Sequence, residues 1–250
     1  MSLICTKCQD RGLIIKEGIA HPCSCVRERA KKNIFQSSGL PPALTNHRFQ
    51  FFNFAYYPKE KNDFTKSISY FESAQITYHA AKTFVRKYLE DSSTVSGLLF
   101  SGQVGSGKTF LSCCIANALL DKGCAVLFIV VPDMLDRLRA TYGAHQALGY
   151  SEQDLLDEAR TAPVLILDDL GAHNYTDWTR NKLYSIINYR LNYCLPTIIT
   201  TNISLEDLEQ FLGDRTTSRI LQMCTPYRLM VDVDIRMLQK RRERRMAGEL

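Results

Sequence analysis

Gly102-Gln-Val-Gly105-Ser106-Gly107-Lys108-Thr109 is the stretch whose reading decides the fold. It fits G-x-x-x-x-G-K-[ST], in which glycines let backbone N–H groups turn inward around a phosphate and the following helix adds the positive end of its dipole. The pattern carries this meaning only between a strand and a helix. An apolar run, Leu98–Phe100, precedes it and a helical pattern, Phe110–Leu120, follows. Gly102, Gln103, Val104, Gly105, Ser106, Gly107, Lys108 and Thr109 are therefore the expected cradle for ATP. Lys108 is expected to reach the β- and γ-phosphates, and the Thr109 hydroxyl to ligate Mg2+.

Outward from this loop the chain alternates. Four short apolar runs (97–101, 124–131, 164–167 and 197–200) read as buried strands, and helical patterns at 107–121, 133–141, 152–160 and 177–191 alternate with them. Strand and helix in alternation predict a parallel sheet covered on both faces, an α/β architecture. Ala74, Tyr78, Ala81, Val85 and Tyr88 recur at four-three spacing and predict a further helix over 70–89. The run Val164-Leu-Ile-Leu167-Asp168-Asp169 ends in two acids, which puts carboxylates at the C-terminal edge of the sheet beside the phosphates. Asp168 is expected to hold the Mg2+ water shell, and Asp169 to orient or deprotonate the attacking water. Many ATPases place Glu at that second position, and the shorter Asp predicts slow hydrolysis. Thr200, Thr201 and Asn202 end the fourth strand and are expected to point toward the γ-phosphate. Arg215 and Arg219 share one face of a short helix over 214–222. That face either reaches a neighbouring subunit's nucleotide or pairs with nearby acids. Arg236 is a further candidate phosphate contact.

The front of the chain has a different chemistry. Cys5-x2-Cys8 and Cys23-x-Cys25 lie about fifteen residues apart, close enough for four thiolates to share one tetrahedral zinc ion, with His21 as a substitute candidate. A segment so short buries no useful core, so a metal would supply most of its folding free energy. This module is assigned to 1–32. A connector over 33–64 follows, with Pro41-Pro42 and the aromatics Phe49, Phe51, Phe52, Phe54, Tyr56 and Tyr57, which are expected to pack along the body. The ATPase body is assigned to 65–250.

Composition narrows the function classes. The chain has 250 residues, 45% hydrophobic and 23% charged, as a globular protein does. Its longest purely apolar run, Cys124–Val131, is far below the roughly 18 residues of a membrane span, so no membrane association is expected. Nine cysteines, an odd count, and no secretory layout at the start predict a reducing, cytoplasmic setting. Charge is segregated. Residues 1–60 carry nine Lys/Arg against four Asp/Glu, residues 61–235 sixteen against twenty, and residues 236–250 six against two. Basic ends around an acidic body suit contact with a polyanion or an acidic partner, or a solvated tail.

Taken together the chain resembles the AAA+ ATPases, specifically the DnaC/DnaI-type replicative helicase loaders and their phage relatives. The resemblance rests on the cysteine module, Ser38-Gly-Leu-Pro41 leading to Phe49-x2-Phe52-Asn53-Phe54, Gly102–Thr109, Leu165-Ile-Leu-Asp-Asp-Leu-Gly171, Thr200-Thr-Asn202 and Arg215-x3-Arg219, in that order. It implies an AAA+ three-layer core preceded by a small zinc-binding module. It also implies Asn202 as sensor I, Arg219 as an arginine finger acting in trans with Arg215 as companion, and Arg236 at the sensor II place. Implied partners are a DnaB-type hexameric helicase, single-stranded DNA and further copies of the chain in a nucleotide-dependent oligomer. The region 134–158, with Arg137, Arg139 and Tyr142, corresponds to the family's single-strand contact. An IstB-type helper of a DNA transposase is the alternative, and a degenerate ATPase serving as an adaptor is a third reading.

Overall fold

The computed structural model describes residues 5–16, 18–63, 67–141, 151–172 and 175–246. Tyr142 lies outside them. The front end is a hairpin, β1 (Leu13–Lys16) paired antiparallel with β2 (Ile19–Pro22), followed by α1 (Ser24–Ser37). This helix runs without a break through the position assigned to the module boundary at 32. The connector then makes three single 3-10 turns, at Pro42–Leu44, Phe49–Phe51 and Phe54–Tyr56. Two-residue strands β3 (Asn62–Asp63) and β4 (Ile68–Ser69) lead into α2 (Tyr70–Glu90). Ser69 and Glu72 form a reciprocal capping box at its start, satisfying two of the backbone donors a helix leaves open.

The body continues with β5 (Gly97–Gly102), α3 (Lys108–Asp121), β6 (Val126–Val130), α4 (Val131–Ala140) and α5 (Glu152–Thr161). Next come β7 (Val164–Leu170), α6 (Asp177–Asn192), β8 (Thr197–Thr201), α7 (Leu208–Leu212), α8 (Asp214–Met223), β9 (Cys224–Leu229) and α9 (Ile235–Met246). The sheet is parallel throughout, in the order β6-β7-β8-β5-β9. The fifth strand, β9, has no counterpart among the expected runs. It carries Pro226 and polar residues, a composition tolerated on an edge strand, where one side needs no partner.

Side-chain alternation along the strands sorts the core into two layers. Leu98, Phe100, Val164, Ile166 and Ile198 face one side, against α2, α3 and the connector aromatics. Leu99, Leu165, Leu167 and Ile199 face the other, against α4 to α8. Helices on both faces of a parallel sheet give the three layers expected. The connector packs as anticipated: Tyr57 is buried, and Phe49, Phe52, Phe54 and Tyr56 lie against the same core. Phe51 alone among those aromatics stands out into solvent.

The second half of the body is held by a guanidinium. Arg190 of α6 is fully buried and donates to the carbonyls of Ala159, Arg160 and Ala162 at the end of α5, to the Pro196 carbonyl and to the Thr197 hydroxyl. A helix leaves its last carbonyls unpaired, and here a side chain from a neighbouring helix supplies the donors.

Candidate functional site

Strand β5 ends at the phosphate loop, and α3 begins at Lys108. Gly105 and Gly107 take φ values of 71° and 95°, a region L side chains rarely adopt. A Cβ on Gly107 would also meet the Tyr57 hydroxyl at 2.8 Å, and one on Gly105 the Asp234 carboxylate at 2.0 Å. The loop is therefore backbone-only on the sides where Tyr57 and Asp234 press against it.

A cleft of about 380 Å³ opens over the loop, within the range of small-molecule sites. Residues 104–109, Asp168, Asp169, Asn202 and Arg236 line it. The opposite wall is the connector, through His47, Phe52, Asn53 and Tyr57. Sequence reading assigned the aromatics Phe52 and Tyr57 to packing and missed the place of all four residues at the cleft. Their aromatic and polar mixture was visible, but no spacing rule ties a segment fifty residues upstream to the phosphate loop. Tyr57 makes that tie by donating to the Ser106 carbonyl at 2.8 Å. Asn117, buried in α3, adds two more, to the carbonyls of Leu44 and His47 at 3.0 and 2.9 Å.

Inside the cleft the polar groups form one network. The Lys108 ammonium donates to the carbonyls of Gly102 and Gln103, both at 2.8 Å, and to Asn202 Oδ1 at 2.6 Å. Asn202 in turn donates from Nδ2 to Asp169 at 3.2 Å. Thr109 donates to Asp168 at 3.0 Å. Thr200 and Thr201 depart from expectation. Thr200 donates to Asp168 at 2.7 Å and accepts from the Asp169 amide, while Thr201 accepts from the Ile203 amide, so both hold the strand ends rather than face the cleft. The β7–β8 register shifts between Leu167 and Leu170, and Asp169 has φ 58°. This irregularity lets both adjacent acids line the cleft, where a regular strand would send them to opposite faces.

Burial tunes these charges. Desolvation pushes Asp168 up to about 6, opposed by the Thr200 hydroxyl. It pushes Lys108 down to about 8, opposed by Asp169 and Asp168. A desolvated ammonium and the buried, unpartnered Ser106 hydroxyl together suit a bound polyphosphate. Asp168 and Thr109, already in contact, offer the oxygen ligands that Mg2+ takes.

Arg215 and Arg219 stand apart from the cleft lining. Arg215 is exposed and makes no ion pair among the described residues. Arg219 donates to Asn188 Oδ1 at 2.7 Å and lies over the Tyr184 ring at 4.9 Å. The salt bridge that nearby acids would supply is thus not formed. Arg236 lines the cleft while paired with Asp234 at 2.8 Å.

The four cysteines of the front end converge. Their sulfurs all lie within 4.8 Å of one another, Cys5 to Cys23 at 3.8 Å and Cys8 to Cys25 at 3.3 Å, and none is in a disulfide. A tetrahedral site with Zn–S near 2.3 Å separates its sulfurs by roughly 3.8 Å, so the donor set fits zinc. The amides of Cys8 and Lys7 bring the Cys5 thiol down to about 6, while the neighbouring sulfurs and burial push Cys25 up; four thiols this close ionise together only with a cation between them. His21 is exposed on β2, outside the cluster.

Parallel sheet, phosphate loop and acid-tipped neighbouring strand define a nucleotide-binding protein of the phosphate-loop class. A sequence model described as "IstB-like ATP binding protein" matches residues 60–245, and the chain belongs to that family. Among curated relatives it is 29% identical over 136 residues to the replicative helicase loader DnaC of Escherichia coli K12, covering 54% of each chain. It is 31% identical over 159 residues to the replicative helicase loader DnaI of Bacillus subtilis 168, covering 58% of this chain and 49% of DnaI. The match therefore spans about half the length of each loader. A phage-like element protein, XkdC of the PBSX element in B. subtilis 168, is 26% identical over 239 residues, 91% of this chain and 82% of its own. The crystal structure of the DnaC helicase loader superposes with TM-score 0.60 at 27% identity, covering 77% of this chain and all of that one. The DnaI crystal structure gives 0.59 at 25% identity, with 76% and 91% covered. The fold is AAA+, and binding of ATP is the family's shared property. No helix among the described residues is long and apolar enough to cross a membrane.

Proposed function

We propose that the protein is an ATP-dependent loader of a DnaB-type hexameric helicase onto single-stranded DNA. The observation that carries this reading is the four-cysteine module preceding an AAA+ body similar to two helicase loaders, in a chain similar along nearly its whole length to a phage-like element protein. In this reading residues 1–32 and the zinc they hold grip the helicase, 33–64 transmit, and 65–250 bind nucleotide, all in the reducing cytoplasm. The family model is named for IstB, so the transposase helper stays as the second reading.

Bound MgATP supplies the phosphoanhydride to be cleaved. The loop amides and Lys108 bind the phosphates, exchanging Lys108's contacts with the Gly102 and Gln103 carbonyls for anionic oxygens. Asp168 and Thr109 would hold Mg2+, which would neutralise phosphate charge as it builds up. Asp169, oriented by Asn202, positions the attacking water and takes its proton. Arg236 leaves Asp234 for phosphate, and Arg219 of an adjoining copy completes the site, with Arg215 beside it. Arg137 and Arg139, exposed on α4, would meet the strand's phosphates.

Native mass spectrometry of the full chain with a hexameric helicase, ATP and Mg2+ tests this. A complex that forms with the intact chain and disappears in Cys8→Ser/Cys25→Ser is expected. No complex with the intact chain would defeat the loader reading and make a transposase the next partner to try.

A further inference from the structure

Beyond Gln239 helix α9 stands clear of the nucleotide cleft, and its residues have a distinctive distribution. None is buried. Arg236, Lys240, Arg241, Arg242, Arg244 and Arg245 face a single acid, Glu243. Among the described residues only Arg236 has a carboxylate partner, Asp234. The other five cations are exposed and form no ion pair there.

At about 100° per residue the five cations other than Arg236 spread over somewhat more than half of the helix circumference, with Met237 and Leu238 among them. The remaining sector carries Ile235, Arg236, Gln239, Glu243 and Met246. Ile235 packs on the core and Arg236 and Gln239 line the nucleotide cleft, so that sector docks and the five cations project. A flat anionic surface would engage only one side of such a helix, and α9 lacks the aromatic and apolar stripe of helices that lie in a membrane interface. A single strand presents one line of phosphates and bases that stack on aromatic rings, and α9 has no ring. The major groove of duplex DNA, about 12 Å wide, admits a helix and sets phosphates along both walls.

We propose that α9 is a duplex-DNA-binding arm that lies in the major groove and contacts the backbone on both sides. Its cations are spread to neutralise phosphates along both walls, so affinity comes mainly from the DNA backbone and depends little on sequence. The root of the arm is fixed to the phosphate loop: the Ile235 amide donates to the Gly105 carbonyl at 3.1 Å. Duplex held by α9 therefore lies next to the nucleotide cleft. This is separate from the loader reading, which requires a helicase and a single strand.

Fluorescence anisotropy of the full chain with a random-sequence 25-base-pair duplex and the matching single strand, over a range of salt, tests the proposal. The variant is Arg241→Gln/Arg242→Gln/Arg245→Gln. Glutamine has nearly the helix propensity of arginine, and no replaced residue touches the cleft. The intact chain should bind duplex with a log–log salt slope of about −4 to −5, and the variant should lose about 3 of that slope. Duplex affinity should fall at least tenfold at low salt, with fluorescent ATP-analogue binding unchanged. Unchanged duplex binding would overturn the proposal. An equal or larger loss on the single strand would reassign α9 to single-stranded DNA. Displacement of the duplex by polyglutamate at equal charge would reassign it to an acidic protein. Helicase complexes measured on the same variant separate the two readings: lost duplex binding supports the arm whether or not a helicase complex forms.

Discussion

Asp168 is buried beside the phosphate loop, and its carboxylate meets opposing demands there. Metal binding needs it ionised, whereas burial favours its proton, with the pKa raised from 3.8 to about 6. A group whose folded pKa is raised costs nothing below its unfolded value, and its cost grows as pH rises through the folded value. The nucleotide-free protein should therefore lose stability between about pH 4 and pH 6 on this account. Asp168→Asn should raise Tm at pH 7 by a few degrees, a gain on the order of 1–2 kcal/mol, and leave it unchanged near pH 4. Calorimetry across that range checks this, and an equal shift at both pH values would show that ionisation is not the cause. The same variant should no longer bind nucleotide more tightly with Mg2+ than without it. The acid pair itself was legible in the sequence, because an apolar run ending in Asp-Asp has few other uses beside a phosphate loop. That Thr200 holds Asp168 in place was not, since the contact joins residues on different strands.

At the scale of elements, two devices hold the assembly. Arg190 closes the end of α5 from α6, and Arg190→Leu would strand the carbonyls of Ala159, Arg160 and Ala162. The expected loss is about 3 kcal/mol, or roughly 6–12 °C in Tm for a chain of this size. Thermal unfolding reads it directly, and a loss below a degree would contradict the clamp. The second device is the four-cysteine centre. Its hairpin leaves Leu13, Ile15 and Ile19 exposed and so gains little from hydrophobic burial. Chelation should melt residues 5–22 while the ATPase body retains its transition. Hydrogen exchange mapped by peptide would show loss of protection there alone; no change on metal removal would mean that the fold of the module does not depend on metal. Helices α2 to α6 and α8 and four strands of the parallel sheet were readable because burial imposes periods of 3.6 and 2 on the sequence, whereas α1, α7 and α9 were not. Strand β9 was not, because an edge strand with a proline carries neither signal clearly.

For the whole molecule the question is whether sites are completed between copies. Arg219 lies away from its own cleft, held by Asn188 and the Tyr184 ring. On the proposed trans role, Arg219→Ala should leave ATP affinity within a factor of two and cut turnover about 10³-fold or more. Turnover per chain in the intact protein should also rise with protein concentration. Steady-state assays over a concentration series check both, and undiminished turnover in the variant with DNA and helicase present would end the trans assignment.

The amino-acid sequence by itself determined the layered α/β body, the phosphate loop, the acid-tipped strand and the pairing of the four cysteines into one candidate centre. Each is a local pattern, in which periodicity or spacing within a few dozen residues constrains the backbone. Tertiary structure alone decided that the connector walls the cleft, that Thr200 turns to Asp168, that Arg190 caps α5 and that α9 roots on the phosphate loop. Those contacts join segments far apart along the chain. Their partners are chosen by how the two faces of the sheet fill, which no single segment encodes.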